Sequence, residues 1–184
     1  LLPKIMRVDL DQEARRLEEE IGGKLPELTT CTYKVTNAVV FGKSLAEINI
    51  RAMTGAVVSR LKHEDSIVIP TAKSVLNEGD FIQAVGSEES LKQLTVLVGE
   101  RLEGELPLAY SQETASLLLT KKDMIGKQIG DLNFMQNFGC AVTRIRRSGI
   151  DLSPSPDFEL KFGDKLIIVG EKDGIKTIAQ MLGN

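Results

Sequence analysis

The sequence predicts an α+β fold made of two tandem copies of one β-α-β-β-β-α unit, and three observations support that reading. The first is an internal repeat. Sliding the chain so that Gly42 falls on Gly126 gives a gapless match in which Asn49 meets Asn133, Gly55 meets Gly139, Arg60 meets Arg144, Pro70 meets Pro154, Gly79-Asp80 meets Gly163-Asp164 and Val85-Gly86 meets Val169-Gly170. Most of these are Gly, Pro or Asp, the residues that turns demand for distinct backbone reasons. The second is the shape of the apolar runs. Ala56–Leu61 and Cys140–Ile145 are short, partly alternating and bounded by turn residues, which suits strands. The third is the end of each copy, where Leu91, Leu94 and Val98 recur at i, i+3 and i+7 and so mark one buried face of a helix.

Four segments follow in order. Residues 1–30 form a linker whose Val8, Leu10, Ala14, Leu17 and Ile21, set among acidic and basic residues, predict an amphipathic helix over 7–21. Residues 31–100 are the first copy, with a strand over 32–40, a short helix over 44–50 after the Gly42-Lys43 turn, and a strand over 56–61. An edge segment then ends near Pro70, the Gly79-Asp80 turn leads into a strand over 81–85, and a helix over 88–98 is capped by Ser87. Residues 101–114 are charged, carry Pro107 and read as a connector. Residues 115–184 repeat the unit, with strands over 116–120, 140–145 and 165–169, helices over 128–133 and 174–182, and Asp173 as the second helix cap.

Composition narrows the function classes. The chain has 184 residues, 42% of them hydrophobic and 27% charged, with a formal net charge of -3. That is the composition of a folded globular chain. A pI near 5.4 gives no basic footprint, so nucleic acid is not an expected partner. No apolar run approaches the ~18 residues needed to span a bilayer. The chain starts Leu1-Leu2-Pro3 without a methionine and reads as part of something longer. Two cysteines, Cys31 and Cys140, and the single histidine His63 cannot complete a disulfide framework or a His/Cys metal site, so no metal and no cofactor are expected. Cys140 reads as a buried small hydrophobe.

Catalytic signatures fail one by one, with no G-x-S-x-G, H-E-x-x-H or G-x-G-x-x-G. Phe41-Gly42-Lys43-Ser44 imitates the end of a phosphate-binding loop, but Asn37 stands where that loop needs its first glycine. An enzyme is therefore not expected. Gly42, Gly79, Gly126 and Gly163, with Asp80 and Asp164, read as structural turn residues. Candidate binding residues are basic. Arg60 and Lys62, like Arg144 and Arg146, share a strand face by alternation, and guanidinium forks suit phosphate or carboxylate. The competing reading is exposed charges along a sheet edge. His63 falls on Arg147 in the repeat, so that position takes a polar or basic residue on a turn.

Each copy resembles the TrkA-C domain, the C-terminal subdomain of units that regulate potassium conductance. The resemblance rests on the Gly-Lys turn into a short helix and on the strands ending Val58-Ser59-Arg60 and Val142-Thr143-Arg144. It rests also on the proline after the edge segment and on Gly-Asp-x-[Ile/Leu]-x-x-Val-Gly. Two copies behind Ala14-Arg15-Arg16-Leu17-Glu18 are similar to the cytosolic insert of the aspartate–alanine exchanger family of bacterial transporters. Ser59–Glu64, Leu97–Glu100 and Phe162–Leu166 carry that likeness.

The resemblance implies a regulatory module on the cytoplasmic face of the inner membrane, with membrane domains of the same polypeptide as partners. It also implies homodimerisation and a small anionic ligand, for which the basic residues singled out above, Arg60, Lys62, His63, Arg144 and Arg146, are the expected contacts. The alternative it leaves open is a module that only assembles the transporter.

Overall fold

A computed structural model describes residues 26–184. The helix expected over 7–21, and most of the 1–30 linker with it, lies outside the described residues. The first copy runs β1 (Thr29–Val35), a 3-10 turn (Ala38–Val40), β2 (Lys43–Ser44), α1 (Leu45–Ile48), α2 (Ile50–Thr54), β3 (Val57–His63), β4 (Ser66–Val68), β5 (Val75–Leu76), β6 (Phe81–Gly86), α3 (Glu88–Val98) and β7 (Gly99–Leu102). The second runs β8 (Gln112–Leu118), a 3-10 turn (Lys122–Met124), α4 (Ile129–Leu132), α5 (Phe134–Phe138), β9 (Cys140–Arg147), β10 (Ile150–Leu152), β11 (Lys165–Glu171) and α6 (Lys172–Leu182).

Each copy wraps a helix onto one face of an antiparallel sheet. The strand order is β4-β3-β6-β1-β7 in the first and β10-β9-β11-β8 in the second. Alternation along β1 and β6 drives Tyr33, Ile82 and Ala84 against Leu91, Leu94 and Val98 of α3. Tyr33 completes that core as it enters, its hydroxyl donating to the Leu91 carbonyl at 2.9 Å. The second core gathers Ile145, Leu166, Ile168, Ile178 and Leu182 in the same way. Cys140 is buried, and burial pushes its thiol pKa up to about 11, far from reactivity.

Four local departures from the sequence expectation have physical causes. The first strand stops at Val35 because the Asn37 side chain accepts from the Val39 amide and donates to the Val96 and Leu97 carbonyls, turning the chain. The short helix expected over 44–50 breaks at Asn49, and the one expected over 128–133 ends at Asn133 with a further short helix after it; both asparagines are left-handed, at φ 52° and 46°, a conformation asparagine tolerates. Ser87 does cap α3, accepting from the Ser90 amide at 3.2 Å. Asp173 does not cap α6, which starts two residues earlier at an N-cap Glu171 whose side chain makes no capping bond and instead accepts from Gln112 Nε2 at 3.3 Å. Finally, the 101–114 connector is not plain linker. Its first residues complete β7 against β1, and its last begin β8.

Candidate functional site

A one-residue bulge decides where the predicted basic residues point. In β3 the register against β6 slips between Val58 and Arg60, and in β9 the register against β11 slips between Val142 and Arg144. The extra residues, Ser59 and Thr143, bond the Gln83 and Ile167 carbonyls at 3.1 and 3.2 Å. Strict alternation would leave Arg60 on the same face as Val58. The bulge shifts it to the outer face, away from the helix, while Leu61 returns to the core.

On that outer face the candidates are engaged locally. Arg60 is only 8% exposed. Its Nη1 donates to Gln83 Oε1 at 3.1 Å and to the Leu106 carbonyl, with the Glu105 carboxylate 3.9 Å away. The ammonium of Lys62 lies 5.7 Å from the centre of the Phe81 ring. Arg144 donates to Asp151 Oδ2 at 3.0 Å, and Arg146 forks onto both oxygens of the same carboxylate at 2.7 and 3.1 Å. Burial alone would raise the Asp151 pKa, but the two guanidinium groups outweigh it and hold that carboxyl below its usual range. The shared face read from the sequence is real for Arg144 and Arg146, and what it holds is an internal aspartate.

His63 is exposed, as a residue beside a turn is expected to be, yet it has a partner. It ends β3 and places Nδ1 2.6 Å from Asp80 Oδ1, which raises its pKa by hydrogen bonding and then by charge. Arg147 forks onto Asp164 at 2.7 and 2.8 Å, so the repeat frame pairs the same two positions twice. Both aspartates also accept, at 2.8 Å, the amide three residues earlier, from Asn77 and Lys161. Gly79 and Gly163, at φ 80° and 86°, make the adjoining turns.

A different place brings the two copies together. Strand β3 lies against its counterpart β9, and the Ser153 hydroxyl donates to the Gly55 carbonyl at 3.1 Å. Between them opens a cleft of about 450 Å³, continuous in its lining residues with one of about 350 Å³ on the first copy. Its lining includes four pairs of repeat-equivalent positions: Arg51 with Met135, Val57 with Ala141, Pro70 with Pro154 and Ala72 with Pro156. The same strand of each copy meeting across the contact gives it an isologous character, here built within one chain.

Arg51 is the cation of this mainly apolar cleft, and among the described residues it forms no ion pair. Burial is the larger influence on its pKa and lowers it, while the Asp157 carboxylate acts in the opposite sense. Gly130 keeps the wall close, since a Cβ there would sit 2.8 Å from the Pro156 carbonyl oxygen. None of Arg60, Lys62, His63, Arg144 or Arg146 lines the cleft. Arg51 escaped the sequence reading because it falls on Met135, so the repeat that highlights shared residues hides it. Among the described residues no group of three His, Cys, Asp or Glu side chains could hold a metal ion, and no helix is long and apolar enough to cross a membrane.

The family model of the TrkA-C domain matches residues 32–99 and again 116–183. An uncharacterized transporter of Bacteroides thetaiotaomicron is 74% identical over the whole chain, and one of Bacteroides fragilis is 73% identical. The chain spans about 35% of the length of either relative. Among solved structures, the RCK_C domain dimer of S. agalactiae BusR in complex with c-di-AMP is similar over 38% of this chain and 95% of its own, at 28% identity and a TM-score of 0.36.

Proposed function

This chain belongs to the TrkA-C domain family, twice over, and on that footing we propose that it is the ligand-sensing module of a bacterial membrane transporter. TrkA-C is not an enzyme family, and the close relatives are described as transporters. In this reading membrane domains of the same polypeptide are its partners. It sits at the cytoplasmic face of the inner membrane, and a small anion bound between the copies biases transport of an ion or amino acid. Association of two such chains is part of the same proposal.

The observation that carries the reading is the cleft itself. It lies between the copies and includes four pairs of equivalent positions, it is mostly apolar, and Arg51 supplies a half-buried positive charge. Such a cleft suits a molecule with an extended ring surface and an acidic group. A ligand touching both copies binds one mutual arrangement better than another, and that difference in affinity is all that coupling requires.

Thermal unfolding against cyclic dinucleotides, mononucleotides, amino acids and monovalent cations tests this. A ligand at 100 times its dissociation constant, bound only to the folded state, adds about 2.7 kcal/mol. The expected result is a shift for one anionic class that is lost in Arg51→Ala and kept in Arg146→Ala. No shift from any compound overturns the sensor and leaves a module of assembly. A shift lost in Arg146→Ala and kept in Arg51→Ala moves the site to the outer face of the second sheet.

A further inference from the structure

The helix seals one face of each sheet, whereas the opposite face is finished differently in the two copies. In the first, the chain leaving α3 turns directly into β7, which pairs with β1 through Thr32↔Leu102 and Lys34↔Glu100. It then crosses the outer face as a strap. Thr32 Oγ1 donates to the Gly104 carbonyl at 2.8 Å, the Leu106 amide donates to Gln83 Oε1 at 2.6 Å, and Arg60 donates to the Leu106 carbonyl. Beneath it Thr32 and Gln83 are buried.

In the second copy Ser116, Arg144 and Ile167 hold the positions of Thr32, Arg60 and Gln83. Ser116 is exposed, Arg144 and Ile167 are only half-buried, and Leu118 is 39% exposed. Strand β8 is the edge of its sheet and presents a row of unpaired main-chain groups. Pairing along that edge has already begun at the expected residue. Asn184 stands where Glu100 stands in the repeat frame, and its side-chain amide bonds the Leu118 main chain in both directions, at 3.0 and 2.7 Å. Leu118 is the counterpart of Lys34, the residue opposite Glu100.

We propose that β8 takes a fifth strand and then a strap, as β1 does, and that both come from the polypeptide following Asn184 in the full-length transporter. This rests on the reading that the chain is an insert between membrane domains. The occupant is extended, covers Leu118 and Ile167 with apolar side chains, and offers a carbonyl to the half-buried guanidinium of Arg144, as the strap offers that of Leu106 to Arg60. Strand addition ties the occupant by main-chain bonds, with side-chain contacts setting its register. The second sheet is thereby fastened to the segment leading away from it.

Hydrogen exchange of the 184-residue chain and of the full-length transporter in detergent tests this without any ligand. The outward amides of Glu113–Leu118 are expected to exchange at least about tenfold more slowly in the full-length protein, with Thr32–Lys34 equally slow in both. Deleting the eight residues after Asn184 is expected to return the β8 amides to fast exchange. Unchanged β8 exchange in the full-length protein overturns the proposal, as does protection that survives the deletion. Protection in the 184-residue chain that grows with concentration also overturns it and assigns the edge to a second copy. A failed ligand screen leaves all of these outcomes readable, and fast β8 exchange leaves the cleft untouched.

Discussion

Asp80 and Asp164 occupy the same buried corner of the two copies, 3% and 0% exposed, and each receives one amide hydrogen bond from its own turn. Their cations differ. The first is met by His63, whose side chain is more than half exposed, and the second by the fork of Arg147, which is largely buried. The fold needs a neutralised carboxylate at this turn, and the chain satisfies that need once with a titratable group and once with a permanent one. The consequence is a first copy whose stability depends on pH and a second whose stability does not, at least through this pair.

The largest effect expected from breaking this comparison is at Asp164. Asp164→Ala strands a desolvated guanidinium, a class of change that costs about 3–5 kcal/mol, and urea unfolding at pH 7 reads it directly. Asp80→Ala is expected to be milder, because His63 can lose its charge or turn to water.

Next comes a packing exchange between the copies. Ala56 lies beside Ser90 in the first, and at the same positions Cys140 lies beside Gly174 in the second. A Cβ on Gly174 would run into the Phe138 carbonyl and the Cys140 sulfur. Gly174→Ser is therefore expected to destabilise the second copy by about 1–3 kcal/mol, with Cys140→Ala restoring part of it in the double variant. Equal effects of the single and double variants would sink the exchange.

The smallest effect is the pH dependence. His63 has a raised folded pKa, so its contribution is complete below the ordinary histidine value near 6.5 and fades as pH rises through the folded value. His63→Arg is expected to flatten the stability of the first copy across that window. NMR titration of the single histidine checks the direction of the shift.

Much of this was legible in the sequence, and the reason lies in the residue types involved. Turn glycines, the Gly-Asp pairs and the apolar faces of Leu91–Val98 report backbone and burial directly, so the strands and closing helices emerge within a few residues of their bounds. The bulges at Ser59 and Thr143 were not legible, because one extra residue in a ladder leaves no mark in an alternating pattern. The burial of Arg60 followed from that bulge and from a strap more than forty residues away. Aligning His63 with Arg147 and Asp80 with Asp164 did contain both ion pairs, unread, since a repeat shows which positions correspond and not which ones touch. The cleft lay deeper still. It belongs to the contact between copies, and its cation stands at a position where the copies disagree.

That disagreement follows from the covalent link between the copies. When two identical subunits pair, every substitution appears on both walls of their interface, so a cation enters twice or not at all. A fused pair escapes this constraint: Arg51 and its counterpart Met135 line the same cleft, and one copy can supply charge while the other stays apolar. Fusion also replaces a bimolecular equilibrium with a fixed local concentration, so the cleft assembles at any dilution of the chain. On the sensor reading proposed above, occupancy of the cleft follows the abundance of the ligand and is blind to the abundance of the protein.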